Sequence, residues 1–246
     1  MRMKKKRHGG ERLNLLSSLV CNNIEDLVEN KDEIFKNSNP LRIEIGCGKG
    51  DFIREKSKVE KDYNYLAIEK ISDVCVVAVE KYAQSRNLGS LAPNGGWKKS
   101  DSTIVPLGSD PVDFSGEDLG NVRFSVGDAS EMLSKLPDSS IDAIFINFCD
   151  PWDKKGYEKR RLTYISFLEL YSRILTKRGK IYFKTDNRGL FDFSLEQFEK
   201  SPFDVVYSTY DLHASDMNGA NIETEYERNF TAKGFKINML IAENNK

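Results

Sequence analysis

Histidine and tryptophan are scarce in this 246-residue chain, two of each, and its four cysteines are scattered. Cys21, Cys47, Cys75 and Cys149 have neither the paired spacing of a zinc site nor the density of a secreted disulfide scaffold. That excludes both classes, predicts no metal, and fits reduced thiols in a cytoplasmic protein. Long apolar runs are missing too. The longest, Val74 to Val79, is far too short to cross a bilayer, and no apolar segment follows the first basic residues to make a signal peptide, so no membrane association is expected. An excess of one charge sign is also absent: 37 Lys and Arg stand against 38 Asp and Glu, a net charge of −1. No global field therefore draws the protein to RNA or to anionic lipid, and any grip on nucleic acid must be local.

What the chain does have is the composition of a folded domain, 39% hydrophobic and 30% charged, with enough length for one α/β domain and its appendages. Strand and helix patterns alternate along it. Leu13 to Phe35 has helical spacing through Leu16, Leu19, Ile24, Leu27, Val28 and Ile34, ended by Asn37-Ser-Asn-Pro40. Leu41 to Ile45 reads as a strand, Gly46-Cys-Gly48-Lys-Gly50 as a tight turn, and a helix follows from Asp51. Further strands are expected at Asn64 to Ile68, Asn121 to Val126, Ile141 to Phe148 and Lys180 to Lys184, with helices at Ile71 to Gln84 and, through Leu162, Ile165, Leu168 and Leu175, ahead of Gly179. Phe203 to Tyr210 and Phe235 to Ile241 read as an antiparallel strand pair with no helix between them. The pattern implies a mostly parallel sheet with right-handed crossovers, helices on both faces, and an antiparallel C-terminal strand pair.

Two segments fall outside this rhythm. Gly89 to Leu119 is rich in Gly, Pro, Ser and Asp with no sustained period, and is expected to be an exposed, structureless insertion. Residues 1–36 form an amino-terminal arm and helix ahead of the main domain at 37–246. The arm holds Arg2, Lys4, Lys5, Lys6, Arg7 and Arg12, which read as a solvated tail or as contacts to nucleic acid.

The glycine turn bears on the ligand. Gly46, Gly48 and Gly50 permit a sharp strand-to-helix turn and close approach of a ligand, but their spacing is not the dinucleotide fingerprint, whose third glycine falls three residues after the second. Glu69, at the end of the second strand, can accept both hydroxyls of a ribose. Asp128, after Gly127 at the end of the third, can accept from an adenine amino group. Glu44, inside the first strand, must be paired or touch a ligand. A nucleoside carrying a sulfonium and an amino-acid tail satisfies these carboxylates, which points to S-adenosylmethionine. A nicotinamide oxidoreductase and a catalytically inactive RNA-binding module are the competing readings.

Asn147 to Thr163 supplies the second set of candidates. Asp150 stands just beyond a strand buried on both faces, where open parallel sheets collect their ligands. Lys154, Lys155, Lys159, Arg160 and Arg161 follow at once, a cationic stretch suited to phosphates.

Glu44-Ile-Gly-Cys-Gly-Lys-Gly50, Ile68-Glu69, Gly127-Asp128-Ala129, Asn147-Phe-Cys-Asp150-Pro-Trp152, Lys159-Arg-Arg161, Thr185-Asp186 and Thr224-Glu225-Tyr226-Glu227 together resemble the bacterial tRNA (guanine-N7)-methyltransferases, which act on guanine 46 of the tRNA variable loop. The similarity runs over nearly the whole chain outside the insertion. It implies a class I S-adenosylmethionine-dependent methyltransferase fold of Rossmann-like type, with Glu44, Glu69, Asp128 and Asp150 at the cofactor or active site and Lys154, Asp186 and Thr224 to Glu227 at the substrate. It implies tRNA as the partner, no obligate protein partner, and a monomer or homodimer. The usual Asp-Pro-Trp-Pro-Lys-Lys-Arg-His becomes Asp150-Pro-Trp-Asp153-Lys-Lys-Gly156-Tyr157 here, removing a ring, a cation and an imidazole.

For that reaction, guanine N7 already carries a free lone pair, so no general base is needed. Asp150, the catalytic candidate, and Asp186 would orient guanine through its N1 and N2 donors and stabilise the cationic product, with Glu227 as a third candidate.

Overall fold

The computed structural model describes residues 5–246; Arg2 and Lys4 of the basic arm lie outside the described residues. In chain order the elements are α1 (Gly9–Leu15), α2 (Ile24–Glu29), α3 (Lys31–Phe35), β1 (Leu41–Ile45), α4 (Asp51–Val59), β2 (Asn64–Glu69), α5 (Ser72–Ser85), β3 (Ser90–Leu91), β4 (Trp97–Lys98), β5 (Ile104–Val105), β6 (Val122–Val126), α6 (Ala129–Ser134), β7 (Ile141–Asn147), α7 (Ile165–Ile174), β8 (Leu175–Thr185), α8 (Arg188–Glu199), β9 (Phe203–Thr209), α9 (Glu225–Thr231) and β10 (Asn238–Asn244). They group into two compact units. One takes in the chain up to Asn39 and Cys47–Ala129; the other is Pro40–Gly46 with Ser130–Lys246. No helix among the described residues is long and apolar enough to cross a membrane.

In the first unit β2 and β6 pair in parallel, with Tyr65 opposite Val122 and Glu69 opposite Val126. Both strands are buried along nearly their whole length, which is why they read as apolar runs rather than alternating ones. Helix α5 buries Cys75, Val76, Ala78, Val79, Tyr82 and Ala83, and the Tyr82 ring meets Phe124 of β6 edge-on at 5.7 Å. The amino-terminal segment is fastened to α5 by Arg12, which donates to both oxygens of Glu80 at 2.7 and 2.6 Å, and by the Lys6 amide on Asp73.

The single helix expected over Leu13 to Phe35 is broken into α1, a 3-10 turn at Ser17–Leu19, α2 and α3. Leu16, Leu19, Ile24 and Leu27 are buried, whereas Val28 and Ile34 are only half-buried, so the spacing marked the inward face at four of its six positions. What interrupts it is backbone competition: Val20 forms a parallel bridge with Phe124, the Cys21 amide donates to the Phe124 carbonyl, and the Asn23 side chain caps α2 at Glu25.

The insertion also departs from expectation. β3, β4 and β5 form an antiparallel three-stranded meander instead of a structureless loop. Trp97 is 2% exposed and donates Nε1–H to the Leu88 carbonyl, and Ala92, Val112 and Phe114 are buried with it.

The second unit is a five-stranded sheet in the order β1-β7-β8-β10-β9. β1, β7 and β8 are parallel, with Glu44 opposite Phe145 and Asn147 opposite Lys184. β10 runs antiparallel to both β8 and β9, the expected C-terminal pair. Two details differ from the sequence expectation. Gly179 does not stop α7, which ends at Ile174 and passes directly into β8, so that Gly179 lies within the strand. And β9 and β10 are separated by α9, a helix too short to leave a sustained period.

Candidate active site

The glycine turn connects the end of β1 to α4. Gly46, Gly48 and Gly50 take left-handed φ values of 74°, 56° and 75°, a region that costs other residues. Their surroundings differ. A Cβ on Gly46 or Gly48 would meet nothing within 4 Å, whereas one on Gly50 would lie 2.9 Å from the Cβ of Ala78. The first two glycines thus leave open room for a ligand, and the third lets α4 start against α5.

Within the first unit, the carboxylate of Glu69 is fixed at the end of β2 by two backbone amides, accepting from Gly48 N at 3.0 Å and Ile71 N at 2.9 Å. Asp128 follows β6, its Oδ2 accepting from Lys70 at 2.9 Å, and both side chains are well exposed. The structure therefore brings Gly48 and Glu69 into direct contact and places Asp128 at the neighbouring strand end, since β2 and β6 pair in register. An anchored carboxylate beside an open, Cβ-free turn fits the sugar of a nucleoside.

In the second unit Glu44 is buried and accepts from Asn147 Nδ2 at 3.1 Å across the β1–β7 pairing. One strand further, Lys184 of β8 is 4% exposed in its side chain and its partner Glu227 0%. Lys184 Nζ donates to Glu227 Oε2 at 2.8 Å, to Asn221 Oδ1 at 2.9 Å and to the Ile222 carbonyl at 3.0 Å. Glu227 Oε1 is met by Asn221 Nδ2 at 2.7 Å and His213 Nε2 at 2.9 Å. Burial pushes the Lys184 ammonium below the ordinary lysine range although Glu227 and Glu44 oppose this. Burial alone would raise Glu227, but Lys184, His213 and Asn221 outweigh it and hold the carboxyl below its ordinary range.

The four residues of the Thr224 to Glu227 motif are placed differently. Glu227 is enclosed by Lys184, Asn221 and His213, which fix the start of α9. Thr224 is the cap of α9, its Oγ1 accepting from Glu227 N at 3.0 Å. Only Glu225 and Tyr226 present side chains outward. The Tyr226 hydroxyl lies 3.4 and 3.5 Å from the two oxygens of Asp186. Burial, Asp186 and Asp150 together push its pKa up to about 12, which keeps it a phenol and a donor at neutral pH. Asp150, Asp186 and Tyr226 are thereby brought to one place beyond the carboxyl ends of β7 and β8.

Asp150 itself is exposed and sits between two strained residues: Phe148 and Trp152 have φ of 55° and 47°. Such strain, of order 1–3 kcal/mol each, persists only where the surroundings enforce it. Here Arg161 does so, donating to the Pro151 carbonyl at 2.8 Å and the Trp152 carbonyl at 3.4 Å while its guanidinium lies 4.3 Å over Phe193. Arg160 stacks on Trp152 at 5.0 Å and on Tyr157 at 4.7 Å. Arg161 thus directs its donors to the Asp150 loop, while Arg160 lies over the two rings. Lys154, Lys155 and Lys159 are exposed. The departure at Gly156 and Tyr157 also has a physical reason: Gly156 turns the chain at φ 89°, and the Tyr157 ring completes the stack with Arg160 and Trp152.

Lys184 and His213 are absent from the sequence expectations. A lysine near the end of an otherwise apolar strand needs a counter-charge, and that was the signal for it; nothing local marks His213.

A family model described as "Putative methyltransferase" matches residues 38–240. The tRNA (guanine-N(7)-)-methyltransferases of Listeria welshimeri and Listeria innocua are each 38% identical to this chain over 242 residues, covering 98% of either chain. Among solved structures, the 16S rRNA methyltransferase KamB superposes with a TM-score of 0.58 at 7% identity, over 89% of this chain and 94% of that one. An antibiotic-related methyltransferase gives 0.54 at 14% identity, over 88% and 92%. At such identities these two establish likeness of fold, of the class I methyltransferase type.

Proposed function

Because this chain belongs to the tRNA (guanine-N7)-methyltransferase family, we propose that it transfers a methyl group from S-adenosylmethionine to N7 of guanine 46 in the variable loop of tRNA. The observation that carries the reading is the convergence of Asp150, Asp186 and the protonated Tyr226 hydroxyl at the ends of β7 and β8.

Glu69 and Asp128 hold the donor's ribose and adenine, Gly46 and Gly48 leave room for it, Gly50 shapes the turn, and Glu44 is a further carboxylate assigned to the donor. When bound, S-adenosylmethionine supplies an electrophilic methyl on a positively charged sulfur. The protein's own residues do the rest. Asp150 and Asp186 accept from N1 and N2 of guanine, contacts that discriminate against adenine by about 1–3 kcal/mol. As positive charge moves onto the purine, the same carboxylates stabilise it. No residue takes a proton from N7, because N7 carries none. Tyr226 donates to Asp186 and so helps to position that carboxylate. Alignment of N7 with the methyl contributes most, since orientation alone is worth about 7–11 kcal/mol. The target base must leave its stack to be reached, and Lys154, Lys155 and Lys159 hold the flanking phosphates. The glycine spacing and the family both speak against the nicotinamide alternative.

Incubation with labelled S-adenosylmethionine and unmodified tRNA, followed by strand cleavage at 7-methylguanine, tests the reading. Label at guanine 46 and none in a tRNA carrying adenine there is the expected result; label at another nucleotide, or none, overturns it.

A further inference from the structure

Four aromatic rings form an unbroken row in the second unit, and the reaction above uses only one of them. Phe148, at the end of β7, lies 4.9 Å from Tyr226 between ring centroids. Tyr226 stacks on Phe230 at 4.2 Å with the planes 16° apart, and Phe230 meets Phe235 at 5.4 Å. The inner end is rooted, for Phe148 packs on the buried cluster of Leu212, Ile237, Met239 and Ile241. The outer end is in water: Tyr226 is 42% exposed and Phe235 49%.

Helix capping accounts for part of this. The turn that follows α9 holds Gly234 in a left-handed conformation at φ 84°, and Phe235 N donates to the Phe230 carbonyl at 3.1 Å, a turn that favours apolar contact between those two positions. Any aliphatic side chain would serve that purpose, however, and the cap explains neither the exposed Tyr226 nor the continuous π-surface. A cation accompanies the row: Lys233 Nζ is 5.1 Å from the Phe230 centroid, while Lys236, next in sequence to Phe235, pairs with Asp211 at 3.0 Å.

We propose that Tyr226, Phe230 and Phe235 form a stacking track for the unpaired nucleotides that adjoin the target guanine in the RNA. The inference rests on the function proposed above and extends it, because Tyr226 joins the track to Asp186 through its hydroxyl. Sequence-specific RNA recognition relies on splayed bases stacked on aromatic side chains, and every base has a π-face, so such a track tolerates different tRNAs. A protein of net charge −1 also cannot rely on its overall field to hold RNA.

The test compares wild type with Phe235→Ala, Phe235→Leu and Phe235→Trp, using unmodified tRNA, a single-stranded RNA decamer and an RNA duplex. The leucine keeps the apolar cap contact and removes the ring. Affinity for tRNA and for the decamer falls about 5- to 150-fold in Phe235→Ala, the effect of losing one base–aromatic stack, with a similar fall in Phe235→Leu and recovery in Phe235→Trp. Duplex binding, S-adenosylmethionine binding and melting temperature stay near wild type, and the decamer quenches the emission of Phe235→Trp beyond that of wild type. If Phe235→Leu binds RNA as wild type does, or that quenching is absent, the ring is only a helix cap and the track is refuted. If Phe235→Ala turns a dimer into a monomer and leaves RNA binding intact, the row is an interface between copies and the track is equally refuted. Should wild type fail to methylate tRNA while Phe235→Ala still weakens decamer binding, the proposed reaction falls and the track stands.

Discussion

A lysine and a glutamate that face each other out of reach of water cannot be treated as a surface ion pair. Removing one partner strands the other charge, and such losses cost about 3–5 kcal/mol. Glu227→Gln, which leaves the Lys184 ammonium buried among Asn221 and Ile222, should lower unfolding free energy by that amount in urea titrations at neutral pH. Lys184→Met combined with Glu227→Leu removes both charges and should cost less than the single change. The pH dependence has a definite sign. Glu227 has a depressed carboxyl in the folded state, so its contribution is present above its ordinary value of 4.5 and is lost as pH falls through the lower folded value. The stability gap between wild type and Glu227→Gln should therefore be full at pH 6 to 7 and close progressively below about pH 4.5. A gap that stays constant on acidification would mean that Glu227 is not the charged partner. The glycine turn offers a sharper contrast between neighbours. Gly48→Ala adds left-handed strain of about 1–2 kcal/mol without a clash, and should mainly weaken binding of S-adenosylmethionine by calorimetry. Gly50→Ala drives a methyl into Ala78 and should lower the melting temperature well beyond Gly48→Ala.

Among the elements, the insertion shows most plainly what a sequence hides. β3, β4 and β5 are two residues each, too short for any period to emerge, and the connections between them, Ala92 to Gly96 and Lys99 to Thr103, are made of turn-forming and polar residues. What orders the segment is non-local: Trp97 reaches Leu88, and Val112 N donates to the Leu15 carbonyl at 2.8 Å. Trp97→Ala should consequently cost about 3–5 kcal/mol in unfolding experiments, where a residue in a loose loop would change stability by no more than about 0.5 kcal/mol. β1, β2, β6 and β7 were legible because strands buried on both faces concentrate apolar residues. The 3.6-residue spacing before Pro40 marked the inward face but not the breaks, since asparagine side chains and a bridge to Phe124 compete for the backbone there. The same division applies to the site. Carboxylates at strand ends, Glu69, Asp128 and Asp150, are visible from position alone, whereas Asp186 stands out only through the family resemblance. Which charged groups are consumed internally is not, because Lys184 and Glu227 lie 43 residues apart and Arg161 answers carbonyls that carry no sequence signature.

Taken as a whole, the molecule carries one negative charge, so its hold on a polyanion must come from a few well-placed cations and not from its field. The Asp150 loop separates two kinds. Lys154, Lys155 and Lys159 are exposed and free to displace counterions from the RNA, each contributing about 0.7–0.9 to the slope of log affinity against log salt. Arg161 is spent on Pro151, Trp152 and Phe193 and should contribute nothing to that slope. Replacing the three lysines with glutamine takes the net charge from −1 to −4, and should reduce the slope by about 2–3 while leaving turnover at saturating tRNA nearly unchanged. Arg161→Gln should do the opposite: the slope stays, and kcat falls about 10- to 100-fold as the loop bearing Asp150 drifts from its productive position. Filter binding of tRNA at several salt concentrations, paired with single-turnover methylation, separates the two. If Arg161→Gln flattens the slope by a full contact, its guanidinium leaves the Pro151 carbonyl for a phosphate when RNA binds, and the loop is held by the RNA rather than by the protein.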